Sequence, residues 1–351
     1  MMDLTLPRPA SPQSYTVPVD PGRTWVKDPR IVIDAPPDTE VDPAPDGRWP
    51  TSAIRTGRCG VVSPRALRMA DGSYRLYYTQ IRPRPGFPAG ANDYDTSTSR
   101  ILSASSADGD SWTPDPGVRL TPQQGAAGDL RVVSSEVVAV PGESGSLRMY
   151  FECCPGSQSA ATSIRSAISD DGGWEWELEP GVRLDTGDRG VNTPRITYLQ
   201  DGGVRLYFYE RDRGVLSAVS RDGGLTFAEE PGIRIEQNGP LDSTAAFSPE
   251  VMKIAGGGYR MYYAGYSANN RAQILAATSE DGFTWHKEAE PAIVPTEGAP
   301  DAAKCSELSI LQLPGRSGGS RLRIFYEACD GTAVNQRGVW RIMSAVAELS
   351  L

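Results

Sequence analysis

The sequence predicts an all-β fold, a five-bladed β-propeller with four antiparallel strands per blade. Three observations predict it. One three-strand pattern occurs five times; four of the copies run through an Asp-containing turn into a fourth strand; and a segment near the N-terminus supplies the fourth strand that the last copy lacks. The period of roughly 50–70 residues is near that of propeller blades and longer than that of solenoid repeats.

The first strands read VVSPRALRM, VVSSEVVAV, VNTPRITYL, AFSPEVMKI and KCSELSILQ, beginning at Val61, Val132, Val191, Ala246 and Lys304. Each is a β-type run bounded by turn residues. Gly-rich hairpins follow (ADGS, PGESGS, QDGG, AGGG, PGRSGGS), with the Asp-Gly and Gly-Gly pairs that supply positive φ in tight turns. The second strands then read YRLYYTQ, LRMYFEC, VRLYFYE, YRMYYAG and LRIFYEA, and the third RILSASS, IRSAISD, VLSAVSR, QILAATS and WRIMSAV. After the third strand come SADGDSW, SDDGGWEW, SRDGGLTF and SEDGFTW. In each the Asp (Asp108, Asp171, Asp222, Asp281) is placed to cap backbone amides of the turn while the aromatic ring packs between strands. The fifth copy stops after its third strand, but TWVKDPRIVI from Thr24 to Ile33 aligns with SWTPDPGVRL from Ser111 to Leu120. A terminal strand of this kind closes a circular array and removes an open sheet edge. The predicted organisation is therefore an extended, Pro-rich segment over residues 1–23 and a single propeller domain over 24–351.

Composition narrows the partners. The chain has 44 Asp and Glu against 35 Lys and Arg, a net charge of -9. That balance argues against general affinity for nucleic acid or an anionic membrane and leaves a small-molecule substrate as the predicted partner. Residues 1–22 hold five prolines and no apolar run, so neither a secretory leader nor a membrane span is predicted and the location read from the sequence is cytoplasmic. Five cysteines, two of them vicinal, show neither a disulfide ladder nor zinc spacing. No metal and no cofactor is predicted. A Ser-His-Asp triad would have to run through His286, the single histidine, which follows Trp285 on an outer strand and reads as a surface residue.

The five repeats, the segment from Ser248 to Gly265 and the Asp turns together resemble the five-bladed glycoside-hydrolase-like superfamily, which includes arabinanases, xylosidases, levansucrases, invertases and mannoside phosphorylases. The turns also resemble the Asp boxes of sialidases. The resemblance implies a propeller with acid/base chemistry at the mouth of its axial channel. In arabinanase-like members it implies an Asp base on the first inner strand, a second Asp that tunes, and a Glu acid from the third blade. This sequence has Arg65 and Arg195 at the corresponding places, so that assignment does not carry over.

In a propeller the first strand of each blade lines the axis, and alternation sends every second side chain toward the channel. The column read from the repeat is Arg65, Glu136, Arg195, Glu250 and Glu307. In it Glu250 and Glu307 meet as like charges, so one of them should hold a raised pKa and serve as a general acid. Glu136, Glu250 and Glu307 are thus the candidate catalytic residues, with Arg65 and Arg195 orienting an anionic or carbonyl group. Second-strand ends add Glu152, Glu327 and Tyr209; both Glu residues stand where the other copies carry Thr79, Tyr209 and Ala264. Loops add Arg58, Asp129, Asp188, Asn192, Asp242 and Asp301, and residues 81–100 are long enough for a lid. Three functions fit: glycosidase-like hydrolysis of a small polar or glycosidic substrate, a cyclase, lyase or isomerase on the same scaffold, and a non-catalytic carbohydrate-binding propeller whose channel is plugged by ion pairs.

Overall fold

The computed structural model describes residues 16–38, 56–84, 96–122 and 130–349, apart from 144, 157–159, 269, 316–318 and 334–335. It is all-β, built from antiparallel sheets. The first sheet orders Gly60–Arg68, Tyr74–Pro83, Ser97–Ser106 and Thr113–Pro114 outward; the second orders Arg131–Ala139, Leu147–Cys154, Ser163–Ser169 and Glu177–Leu178. The third runs Val191–Tyr198, Val204–Glu210, Gly214–Ser220 and Ala228–Glu229, with Ile235–Glu236 also on Gly214–Ser220. A nine-stranded sheet holds two further sets. One is Ala245–Ile254, Tyr259–Tyr266, Ala272–Ser279 and His286–Lys287; the other is Lys304–Pro314, Ser320–Cys329, Trp340–Leu349 and Val26–Ile33. A single parallel bridge between Ala272 and Lys304 joins them. Among the described residues no helix is long and apolar enough to cross a membrane.

The N-terminal strand pairs antiparallel with Trp340–Leu349, Val26 opposite Val346 and Ile33 opposite Ile342. The chain before it docks too. Thr16–Val17 lies parallel to Lys253–Ile254, and Asp20 pairs with Arg260 at 2.5 Å. Asp20 Oδ1 also accepts from Gly22 N at 2.9 Å. Residues 20–25 read Asp-Pro-Gly-Arg-Thr-Trp, as 222–227 read Asp-Gly-Gly-Leu-Thr-Phe, so the turn missing from the C-terminal copy is supplied by the N-terminus.

Successive sheets are locked by one repeated contact. Trp176 meets Tyr77 edge-on at 5.9 Å, Phe227 meets Tyr150 at 6.0 Å, Trp285 meets Tyr207 at 6.5 Å, Trp25 meets Tyr262 at 5.4 Å, and Trp112 meets Phe325 at 5.4 Å. Each pair joins the turn of one sheet to the second strand of the sheet before it, and edge-to-face geometry is the favourable one for such rings. The tyrosine hydroxyls donate to glycine carbonyls of the same turns, Tyr77 to Gly173 and Tyr150 to Gly224, both at 3.1 Å. A Cβ at Gly173 would stand 2.0 Å from Tyr77 Oη, and Gly173 has φ +86°, so both space and backbone demand glycine.

A second repeated contact ties each second strand to its own outer strand. Arg148 pairs with Glu179, Arg205 with Glu230, Arg260 with Glu288, Arg323 with Asp28 and, more loosely at 3.8 Å, Arg75 with Asp115. The Asp turns cap themselves as the sequence implies. Asp222 Oδ1 accepts from Leu225 N at 3.1 Å and Thr226 N at 3.0 Å, and Asp281 Oδ1 from Phe283 N and Thr284 N. These turns follow third strands that run parallel to the inner strands, so they lie at the opposite end of each sheet from the residues that open the inner strands.

Candidate active site

Every inner strand carries a β-bulge at mid-length. Register jumps between Val62 and Arg65, Val133 and Glu136, Asn192 and Arg195, Phe247 and Glu250, and Cys305 and Leu308. In four of them the bulged residue is left-handed without being glycine: Ser63, Ser134, Thr193 and Ser248, with φ between 49° and 55°. Such backbone costs of order 1–3 kcal/mol per residue and persists only where the surroundings fix it. Here the freed N–H groups are taken by side chains of the neighbouring sheet: Ser63 N donates to Glu327 Oε2 at 3.3 Å, Ser134 N to Thr79 Oγ1 at 3.3 Å, and Thr193 N to Glu152. Bulges commonly re-aim side chains near active sites. In this chain they separate two levels of charge.

The lower level is a ladder of ion pairs. Arg65 Nε meets Glu136 Oε2 at 2.9 Å and Arg65 Nη1 meets Glu250 Oε2 at 3.0 Å; Arg195 then reaches Glu250 at 3.5 Å and Glu307 Oε1 at 3.4 Å. All five side chains are at most 5% exposed. Burial pushes the Glu136 carboxyl up to about 7 against the pull of Arg65 and Arg195. The anticipated like-charge contact of Glu250 and Glu307 does not form, because Arg195 stands between them. The cause is the frame of the last inner strand: Lys304 pairs with Cys329 as Gly60 pairs with Ile81, and Ser309 pairs with Phe325 as Arg65 pairs with Tyr77, so KCSELS lies on GVVSPR and not on VVSPRA. Ser309 Oγ accepts from Ala66 N at 3.1 Å just as Glu136 Oε1 accepts from Ile196 N at 3.1 Å, so Ser309 is the fifth member of the column. Glu307 lies two positions earlier, at the level of Ser63 and Ser134.

The upper level is a pocket of about 480 Å³ whose lining includes Glu152, Glu307 and Glu327. Glu307 Oε2 accepts from Ser63 Oγ at 2.8 Å and Ser134 Oγ at 3.2 Å, while Arg195 holds its other oxygen. Glu327 Oε1 accepts from Ser306 Oγ at 2.6 Å. Burial first, and then the charge of Glu307, push the Glu152 and Glu327 carboxyls up to about 8 each. Two carboxylic acids that keep their protons at neutral pH therefore share a pocket with a carboxylate tied to an arginine and two serines. Arg131 and Lys304 pull the two raised values back toward the ordinary range, each from the same set as its acid. The lining also includes Tyr209, Phe247 and Tyr266, with ring centroids 6.0 and 5.2 Å apart in sequence, and Trp340.

Of the residues singled out from the sequence, Glu152, Asn192, Tyr209, Glu307 and Glu327 line the pocket. Glu136, Glu250 and Arg65 do not line it; they form the ladder beneath, and Arg195 reaches the site only through Glu307. Arg58 pairs with Asp34 at 3.0 Å, and Asp188 is exposed in the short turn Gly187–Arg189; neither lines the pocket. Asp242 is outside it as well, buried with Lys287 at 2.7 Å and Tyr263 at 3.1 Å, a structural arrangement repeated by Asp301 with Lys27 and Tyr326. Asp129 and residues 85–95 of the anticipated lid lie outside the described residues. Arg131, Lys304, Tyr266 and Trp340 were not read as site residues. Arg131 and Lys304 carried a signal, since the equivalent positions hold Gly60, Gly190 and Ala245. Among the described residues no group of three or more His, Cys, Asp or Glu is arranged to hold a metal ion.

Several solved structures share this architecture. A glycoside hydrolase superposes with a TM-score of 0.68 over 93% of this chain and 93% of its own, at 16% identity. A thermostable family-43 glycoside hydrolase gives 0.62 over 83% and 90%, at 17% identity. The endo-arabinase from Bacteroides thetaiotaomicron gives 0.59 over 91% and 98%, at 12% identity. The fold is that of the glycoside-hydrolase β-propellers. In sequence, the uncharacterized protein Rv1502 of Mycobacterium tuberculosis is 33% identical over 139 residues, 36% of this chain. The match spans 44% of that relative's length. No protein-family profile matches the chain.

Proposed function

We propose that this chain is a five-bladed propeller enzyme of the glycoside-hydrolase type, hydrolysing a small glycosidic substrate in the pocket above the ion ladder. The observation that carries the reading is the trio of Glu152, Glu307 and Glu327 in one pocket, two of them raised to about 8 and the third ion-paired. Hydrolysis needs both kinds of carboxyl. Glu307 accepts a proton from water as its oxygen bonds to the anomeric carbon, and Glu152 or Glu327 donates a proton to the departing glycosidic oxygen. The aromatic side offers ring faces for the apolar face of a sugar, while the carboxyls meet its hydroxyls. The count of five is supported by the five aromatic contacts, which run from each set to the one before and return from the first to the last. The same contacts support one domain over residues 24–351, on which Thr16–Val17 and Asp20 of the preceding segment dock.

The test is turnover of a panel of nitrophenyl and alkyl glycosides by the wild type and by Glu152→Gln, Glu307→Gln and Glu327→Gln. Glu307→Gln should lose about 10²-fold or more in kcat on every substrate. Loss of the acid should be severe on alkyl glycosides and milder on nitrophenyl ones, whose leaving oxygen needs no proton. Near-normal turnover in all three variants would overturn the assignment, and binding without turnover in the wild type would favour a carbohydrate-binding propeller with a plugged axis.

A further inference from the structure

One wall of the pocket carries two cations, Lys304 and Arg337. Lys304 opens its inner strand where three other sheets have glycine or alanine, and it is only 4% exposed. Its Nζ donates to Asn270 Oδ1 at 2.8 Å and lies 5.0 and 5.3 Å from the ring centroids of Tyr266 and Trp340. Arg337 lines the same pocket from the loop before Trp340; it is exposed, and its guanidinium makes no hydrogen bond or ion pair among the described residues. Burial, and also the nearby Arg337 charge, hold the Lys304 ammonium below its ordinary range. Two like charges facing one cavity repel each other until an anion comes between them, and the fold gains nothing from that repulsion.

We propose that Lys304 and Arg337 form an anion subsite that takes the carboxylate of a hexuronic acid, with the sugar ring lying toward Tyr266 and Trp340. This deepens the hydrolytic reading and rests on the pocket being a sugar site. A planar carboxylate suits the two-pronged guanidinium, and the ammonium adds a second charge-assisted bond. A dianionic phosphate suits the place less well, because the Glu307 carboxylate lines the same cavity and repels the second charge. Glu307 is left free to face the anomeric end of the ring.

The experiment is calorimetric titration of the full chain with glucuronate, galacturonate, mannuronate and iduronate, each beside its neutral parent sugar, and with acetate. At least one hexuronate should bind about ten-fold or more tightly than its neutral parent, a difference typical of one charge-assisted contact. Arg337→Gln, an exposed change that leaves the core alone, should remove that preference while sparing the neutral sugar; Lys304→Met should do the same provided its melting transition stays cooperative. Equal binding of acid and neutral sugar, binding of acetate as tight as that of the hexuronate, no hexuronate binding, or a preference unchanged in Arg337→Gln would each overturn the proposal. Release of nitrophenol is scored separately. A chain that binds hexuronate through Arg337 but cleaves no glycoside leaves the subsite standing and removes the hydrolytic reading.

Discussion

Glu152 and Glu327 are acids kept neutral by burial and by a neighbouring carboxylate, and that has a cost in stability. In the unfolded chain a Glu loses its proton near 4.3, whereas these two hold theirs to about 8. Between those values the folded state binds more protons than the unfolded one, so stability falls as pH rises from roughly 5 to 8. Glutamine cannot ionise and carries no such penalty. Glu152→Gln should therefore flatten the decline and be more stable than the wild type at pH 8. Chemical denaturation at pH 5, 6.5 and 8 measures this; a wild type whose stability rises across that range would contradict the burial of neutral acids. In the ladder below, burial also raises Glu136, to about 7, but against the pull of two arginines. Each of the ladder's charges has a partner, and removing Arg195 would leave Glu250 without one guanidinium and Glu307 without the only one that pairs with it among the described residues, a loss of the kind that typically costs about 3–5 kcal/mol.

At the scale of strands and turns, most of the architecture was legible because repeats report it: hairpin glycines, the Arg-Leu-Tyr second strands and the Asp turns recur with fixed spacing. Two things were not. The frame of Lys304–Pro314 has no local mark in the sequence, since KCSELS reads as readily against VVSPRA as against GVVSPR; the pairing of Ser309 with Phe325, where Arg65 pairs with Tyr77, and the hydrogen bond from Ala66 N to Ser309 reveal that Glu307 belongs to the pocket and not to the column. The second is the turn at Asp20, hidden because its third strand lies more than 300 residues away at the other terminus. Glu152 and Glu327, by contrast, were visible as departures from the repeat, and Arg131 and Lys304 were equally visible by that criterion. The N-terminal strand gives this scale its test. Deleting residues 1–35 removes Trp25 from Tyr262, Lys27 from Asp301 and the pairing to Trp340–Leu349. The truncated chain should aggregate or lose cooperative unfolding through an open sheet edge. A truncated chain that melts like the parent in scanning calorimetry would refute the closure.

For the molecule as a whole, the arrangement assigns different work to different levels along the axis. Turns capped by aspartates and locked by aromatic rings hold the sheets together at one end, buried ion pairs fill the middle, and the bulges lift Glu307 above them into a pocket walled by Glu152, Glu327 and aromatic rings. Glu307 and Glu327 come from the set that joins both termini, while Glu152 comes from the second sheet, so the pocket exists only when the sheets are assembled. The central claim is that two neutral glutamic acids flank the arginine-paired Glu307 there. Carbon-13 NMR of the chain labelled at glutamate side-chain carboxyls, followed from pH 4 to 9 and assigned with Glu152→Gln and Glu327→Gln, tests it without any substrate. The account predicts two carboxyl signals that titrate together near pH 8 and vanish one by one in the two variants. If both residues instead titrate between pH 4 and 5, like exposed glutamates, the pocket holds no proton donor and the account fails.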